Sequence, residues 1–350
     1  MLNKYHLLLF LLALLGSCSS SEPTIHTNCQ RDEIGNYILK WEITPSMEGT
    51  VSITVSDDPA RFDGPATKYV NIQDGVTTYV TNDNFDRKYF CLNFNGQYRH
   101  VVGSRSVVMD SVQNVRDLGG YTNPKGKTTK WGKVFRAGQI GHLSEWDSIR
   151  LNNLRIKTII DLRPQWEQDT LPCDYKRAEV ISIPIESQNS REVVQRIQNG
   201  EIRKGDAFLA MQDEYIQFVS RNSDAFAKAL RLFQEPQRYP ILISCSFGKD
   251  QSGFLSMLLL NLLDMDPETI RKDYMSSNDY INTGLFAQWA SQLSSDSQES
   301  VTVLLMAHEE LIDILKHQVE KEYGSLDNYI KQRLRLSEKE QNKIKEILLY

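Results

Sequence analysis

The sequence is short of three things: basic charge, cysteine and long apolar runs. With 40 Lys and Arg against 45 Asp and Glu, the 350-residue chain carries a net charge of −5. A nucleic-acid binder usually shows a basic excess on one face, so that class is disfavoured. The most apolar stretch, Leu7 to Leu15, is too short to span a bilayer, and no later segment is long and apolar enough to do so. Internal repeats and low-complexity tracts are also missing, which leaves ordinary globular domains at a hydrophobic content of 40%. There are 5 cysteines: Cys18, Cys29, Cys91, Cys173 and Cys245.

What is present begins with a targeting signal. Lys4 and His6 precede the apolar run, and Leu15-Gly16-Ser17-Cys18 closes it. The flanks read as a secretory signal peptide, and the end resembles a bacterial lipobox whose cysteine is acylated. A plain signal peptide with a chance cysteine is the alternative. Residues 1–18 are therefore expected to be a lipoprotein signal and residues 19–30 a linker opening with Ser19, Ser20 and Ser21. The chain would then sit in the cell envelope, on the periplasmic or outer-membrane side, held to the membrane by its lipid anchor alone. In such a compartment Cys29 and Cys91 can pair, although spacing does not decide connectivity.

Two textures follow. Residues 31–104 alternate strand-like runs ("NYILKWEI", "TVSITVS", "TTYVT", "KYFCLNF") with turn clusters ("PSMEG", "DDPARFDGP", "NDNFD"). This spacing predicts a small immunoglobulin-like β-sandwich, with Trp41 and Tyr89 as core aromatics. It carries no catalytic constellation and reads as a spacer or docking module. Residues 105–350 are α/β in texture, one sheet covered by helices. "KTIIDLR" and "YPILISC" read as buried strands, and "DAFLAMQDEYIQFVSRNSDAFAKALRLF" as one or two amphipathic helices. The segment from Phe254 to Leu263 is apolar almost all round, hence a buried helix. Leu311, Leu315, Val319 and Tyr323 share one helical face.

The chemistry concentrates in "LISCSFGKDQSGF", residues 242–254. A strand ends at Cys245, a short loop contains Gly248, and a buried helix opens near Gln251. Free amides of such a loop and of a helix's first turn cradle an anion. The same field predicts a lowered pKa for Cys245, and Lys249 would add positive charge. A thiolate at the floor of that cradle suits a phosphate monoester. A buried, inert thiol is the plain alternative. The nucleotide-binding P-loop fails on spacing, since Asp250 follows Lys249 and no glycine precedes Gly248 by five. The Ser-Gly-Gly-x-Asp-Ser loop of ATP pyrophosphatases fails on position and on its second serine.

From about residue 105 to its end the chain resembles the bacterial cysteine-dependent tyrosine phosphatases of the atypical, lipid- and protein-directed group. Their loop reads His-Cys-x-x-Gly-Lys-Asp-Arg-Thr/Ser-Gly, and residues 244–253 follow it. "NVRDLGGY" at 114–121, "VFRAGQI" at 134–140, "IIDLR" at 159–163, "DYMSSNDYI" at 273–281 and "YGSLDNYI" at 323–330 match in the same order. The resemblance implies a cysteine-phosphatase-like sheet and hydrolysis of phosphate monoesters, foremost phosphotyrosine, on phosphorylated proteins or lipids, without metal or cofactor. It makes Cys245 the nucleophile and gives phosphate binding to Ser246, Phe247, Gly248, Lys249, Asp250 and Gln251. Asp250 and Asp161 become the candidate general acids, Asp161 alternatively pairing with Arg116 or Arg163. Arg116 and Asp117 brace the site.

Two positions depart from the pattern. Ser244 replaces the histidine that helps order the loop, and Gln251 replaces the arginine that grips the phosphoryl group with a charged fork. Glutamine brings only a neutral amide. Arg116 and Arg136, both in matched motifs, are candidates to replace the charge. The alternative function is a silent phosphatase fold that binds phosphorylated ligands, and a third is a scaffold led by the sandwich.

Overall fold

The alternation in "YILKWEIT" turns Tyr37, Leu39 and Trp41 to one face of a strand, and that face is buried. The computed structural model describes residues 22–187 and 190–350, so the expectation for Cys18 lies outside the described residues. Seven strands form the N-terminal part: β1 (Thr24–Arg31), β2 (Tyr37–Thr44), β3 (Thr50–Ser56), β4 (Lys68–Asn71), β5 (Val76–Tyr79), β6 (Tyr89–Phe94) and β7 (Tyr98–Gly103). They make two antiparallel sheets, ordered β1-β2-β5 and β4-β3-β6-β7, whose inner faces share one core. In the constant-type immunoglobulin arrangement the fourth strand joins the sheet of the first, second and fifth; here β4 pairs with β3.

The segment expected to be a linker is partly a strand. β1 pairs with β2 along its whole length, from Thr24 opposite Thr44 to Arg31 opposite Tyr37. Trp41 is a core residue, its Nε1 donating to the Ile72 carbonyl at 2.7 Å and its ring edge-on to Phe94. Tyr89 is buried for another reason. It lies outside the sandwich core, on the outer side of β6, tilted against Trp131 of the following domain. Cys29 and Cys91 are free thiols, as are Cys173 and Cys245.

The α/β part is built on a five-stranded sheet ordered β11-β10-β12-β9-β8. Its strands are β8 (Arg116–Asp117), β9 (Val134–Ala137), β10 (Thr158–Asp161), β11 (Glu179–Ser182) and β12 (Ile241–Ser244). All neighbours run parallel except β8 and β9. Parallel strands covered on both faces read as unbroken apolar runs, which is why "TIID" and "ILIS" are legible as strands. The helices around it include α1 (Glu145–Asn153), α2 (Gln165–Thr170), α3 (Ser190–Asn199), α4 (Asp206–Ser220), α5 (Ser223–Arg231), α6 (Gln251–Leu262), α7 (Pro267–Met275) and α8 (Glu309–Tyr323). The long amphipathic stretch is two helices, α4 and α5. In α6 every residue but Asn261 is buried, and Leu311, Leu315 and Val319 of α8 pack into the same core. Among the described residues no helix is long and apolar enough to cross a membrane.

The two parts touch through a polar anchor with aromatic sides. Arg87 donates to Asp117 Oδ2 at 2.5 Å, to the Ser104 carbonyl at 2.6 Å and to the Tyr89 hydroxyl at 2.9 Å. Trp131 Nε1 reaches back to the Val101 carbonyl at 3.0 Å. Phe85 stacks on Trp146 of α1, and Asn153 of α1 donates to Asp86.

Candidate active site

The site begins where β12 runs out. Ser244 is buried and ties its hydroxyl to the Gly138 carbonyl at 2.8 Å, so the position of the family's histidine still secures the strand end to β9's exit. The chain then turns through residues 245–250 into α6. Gly248 has φ +68°, and a Cβ on it would stand 2.5 Å from the Ala137 carbonyl carbon. Only glycine fits that approach.

The loop is held from behind by its carbonyls. Asn114 Nδ2 donates to the carbonyls of Phe247 and Gly248 at 3.0 Å each. Arg136 places Nε and Nη2 on the Gly248 carbonyl at 3.1 and 2.9 Å, and Nη2 also on that of Lys249 at 3.2 Å. In a trans peptide the next N–H points opposite to the carbonyl. Anchoring these three carbonyls therefore turns the amides of Gly248, Lys249 and Asp250 forward. Among the described residues, no backbone amide from Ser246 to Asp250 donates to a backbone carbonyl. These amides are thus left without a backbone partner on the side away from Asn114 and Arg136.

Cys245 lies at its floor, 1% exposed, with the Ser252 hydroxyl 3.2 Å from Sγ. The expected lowering of its pKa is not found. Burial and the Asp250 carboxylate push the thiol up, and they outweigh the Ser252 hydroxyl and amide and the more distant Arg136.

Arg116 and Arg136 do not replace the missing loop arginine. Both are fully buried and committed to Asp273 of α7. Arg116 donates to the Asp273 carbonyl at 2.7 Å and to the Ser277 hydroxyl at 3.1 Å, and Tyr121 donates to the same carboxylate at 2.9 Å. Burial opposes the Asp273 charge, but Arg136 and Arg116 outweigh it and hold the carboxyl below its usual range. For Arg116 burial wins instead and moves it down to about 10. Their terminal guanidinium nitrogens are taken up by Asp273, by Ser277 and, for Arg136, by the loop carbonyls, so neither offers a free fork to a phosphoryl group in place of the missing arginine.

Neighbouring residues of β8 face opposite ways. Arg116 therefore braces the site, whereas Asp117 turns to the anchor with the sandwich. Asp161 is also redirected. Its carboxylate receives Arg163 Nη2 at 2.6 Å and Nε at 3.0 Å, both partners being buried. Asp161 thus takes the structural pairing with Arg163 that was the alternative expected for it.

A cavity of about 110 Å³ opens in front of the loop. Its walls include Ser246, Phe247, Asp250 and Gln251 of the loop and helix start, Trp166 and Glu167 of α2, and Met211 and Glu214 of α4. Asp250 Oδ1 accepts from the Tyr215 hydroxyl at 2.7 Å and from Lys249 Nζ at 2.8 Å. Lys249 is wholly buried behind the cavity wall, its ammonium group bonded to Asp250. Glu167 accepts from the Ser246 hydroxyl at 2.6 Å, and burial raises its carboxyl. Gln251 Nε2 donates to Glu214 Oε1 at 3.0 Å.

Sequence reasoning missed Glu167, Glu214, Tyr215, Asn114 and Asp273. Asn114 and Asp273 stand in matched motifs and were within reach. Glu214 and Tyr215 belong to the amphipathic α4 and Glu167 to the six-residue α2, where nothing in the pattern marks them.

With this geometry in place, comparison with known proteins is decisive. The family model described as "Tyrosine phosphatase family" matches residues 107–350, more than half of the chain. The chain belongs to the tyrosine phosphatase family. A candidate tyrosine-protein phosphatase of Cupriavidus necator is 28% identical over 240 residues, covering 67% of this chain and 86% of that protein. The triple specificity protein phosphatase PtpB of Mycobacterium tuberculosis is 25% identical over 180 residues, 43% of this chain and 62% of that protein. The core catalytic domain of the S. cerevisiae PP-IP phosphatase SIW14 aligns over 56% of this chain and 89% of its own, at 16% identity and a TM-score of 0.26, too low to bear on the fold. As a member of the tyrosine phosphatase family the chain is a phosphoester hydrolase acting on phosphorylated substrates.

Proposed function

We propose that this phosphatase cleaves phosphotyrosine through a cysteinyl-phosphate intermediate on Cys245. The supporting observation is the placement of Sγ at the floor of a loop whose carbonyls are tied back by Asn114 and Arg136. The Cys245 thiolate attacks phosphorus, the S–P bond forms and the bond to the phenolic oxygen breaks. The loop amides from Ser246 to Gln251 follow the developing charge on the phosphoryl oxygens. Asp250 supplies the proton to the leaving oxygen and later takes one from the water that hydrolyses the intermediate. A phenolate leaves with little proton help, which suits a site that lacks the arginine's charge.

We further infer that the chain works in the cell envelope, acylated at Cys18 and held there by that anchor. The "Ser-Cys" end of the apolar leader supports this reading. A second function is favoured by one observation: Gln251 brings no charge, leaving a fold that binds phosphorylated ligands without turning them over. The test is turnover of a phosphotyrosine peptide by wild type and Cys245→Ser. Activity lost in the variant, with affinity retained, supports the enzyme. Equal affinity and no turnover in either form supports the binder.

A further inference from the structure

Gln251 stands where the family carries a cation, and the residue it touches is a carboxyl group. An arginine there would make Glu214 its ion-pair partner. Glutamine offers Glu214 only an amide N–H, at 3.0 Å. Glu214 is a wall of the phosphate cavity, together with Asp250 and Glu167. The groups facing it are Asp250 and Lys249 from the loop, Glu167 from α2 and the neutral Gln251 from α6. The one cation among them is already bonded to Asp250. If all three carboxyl groups were ionised, a phosphate dianion entering this small space would meet net negative walls.

We propose that Glu214 is a positioning residue that works as a neutral acid, orienting the Gln251 amide toward the phosphoryl group, and that its ionisation closes the cavity to dianions. The inference rests on the phosphate-site reading given above. In the neutral form Glu214 Oε1 accepts one N–H of Nε2 and leaves the other for the ligand. The electrostatics run the same way. Burial and the adjacent Asp250 push the Glu214 carboxyl up to about 8. It is an acid, so it is neutral below that pH and charged above it. The cavity is open at pH 7 and shuts as the pH rises through 8.

The test is binding of tungstate, a tetrahedral dianion throughout the window, to the full chain by calorimetry between pH 6 and 9.5. All proteins carry Cys245→Ser, so that thiol titration does not contribute. Affinity is expected to fall about tenfold from pH 7 to pH 9, the change for a group titrating near 8 whose charged form does not bind. Glu214→Gln should bind with no such decline. Gln251→Arg should also flatten the profile, because a guanidinium keeps Glu214 ionised and paired at both pH values, and it stands in if Glu214→Gln does not fold. A flat profile without either substitution, or an undiminished decline in the folded variants, overturns the inference alone. Absence of tungstate binding at every pH overturns the phosphate-site reading and the inference with it.

Discussion

Arg136 places two of its guanidinium nitrogens on the carbonyl of Gly248, at 3.1 and 2.9 Å, from a fully buried position behind the loop. The same guanidinium pairs with Asp273. A buried arginine thus sets the shape of the cradle without touching its contents.

Arg136→Lys keeps the charge and loses the fork. Turnover is expected to fall by about 10² or more, since amide donors then miss the phosphoryl oxygens. Asp273→Asn, which leaves two buried arginines without their carboxylate, should cost about 3–5 kcal/mol of stability. Phosphatase kinetics and urea unfolding check the two, and a silent change in either would show that the brace is not needed.

Gln251→Arg restores a charged fork next to Glu214. The rate on an aryl phosphate is expected to rise by about 10²–10³, the reverse of losing one transition-state donor. Unchanged kcat/KM would mean that the cavity does not admit the fork.

Thiol reactivity follows from the charges around Sγ. Burial and Asp250 raise the Cys245 pKa, so alkylation by iodoacetamide should be slow at pH 7 and accelerate as the pH rises. Asp250→Asn removes one of the raising charges, which moves the thiol down and should speed alkylation at pH 7. Mass spectrometry of the modified peptide reads both. A slower reaction in Asp250→Asn would contradict the sign.

Asp161→Asn and Asp250→Asn separate brace from acid. The first breaks the buried pair with Arg163 and should lower the melting temperature while acting alike on all substrates. The second should depress kcat more for an alkyl phosphate, whose leaving group needs a proton, than for an aryl one. Equal effects on both esters would deny Asp250 its part.

How legible this was in the sequence differed from element to element. β10 and β12 announce themselves because buried parallel strands are uniformly apolar, and α6 because it is apolar all round. The two-residue β8 and the largely exposed β11 have neither pattern. The loop from Cys245 to Gln251 was readable as a motif, down to the glycine that its backbone demands. Its surroundings were not. Whether Asp161 meets a substrate or Arg163 depends on a side-chain direction that spacing does not encode. The same holds for Lys249, whose charge turned inward to Asp250, and for Glu214, which reaches the site from a helix far along the chain. Burial and charge around Cys245 can be summed only once the neighbours are placed.

The contact of Arg87 with Asp117 has a consequence for how the molecule comes apart. The family match begins at residue 107, which invites cutting the chain there. Such a cut would strand Asp117, buried and stripped of its guanidinium, and bare the flank of Trp131 that lies against Tyr89. The sandwich and the phosphatase part should therefore melt in one cooperative transition. The shorter fragment should precipitate or unfold early, so that the β-rich half acts as a built-in folding partner for the half that does the chemistry.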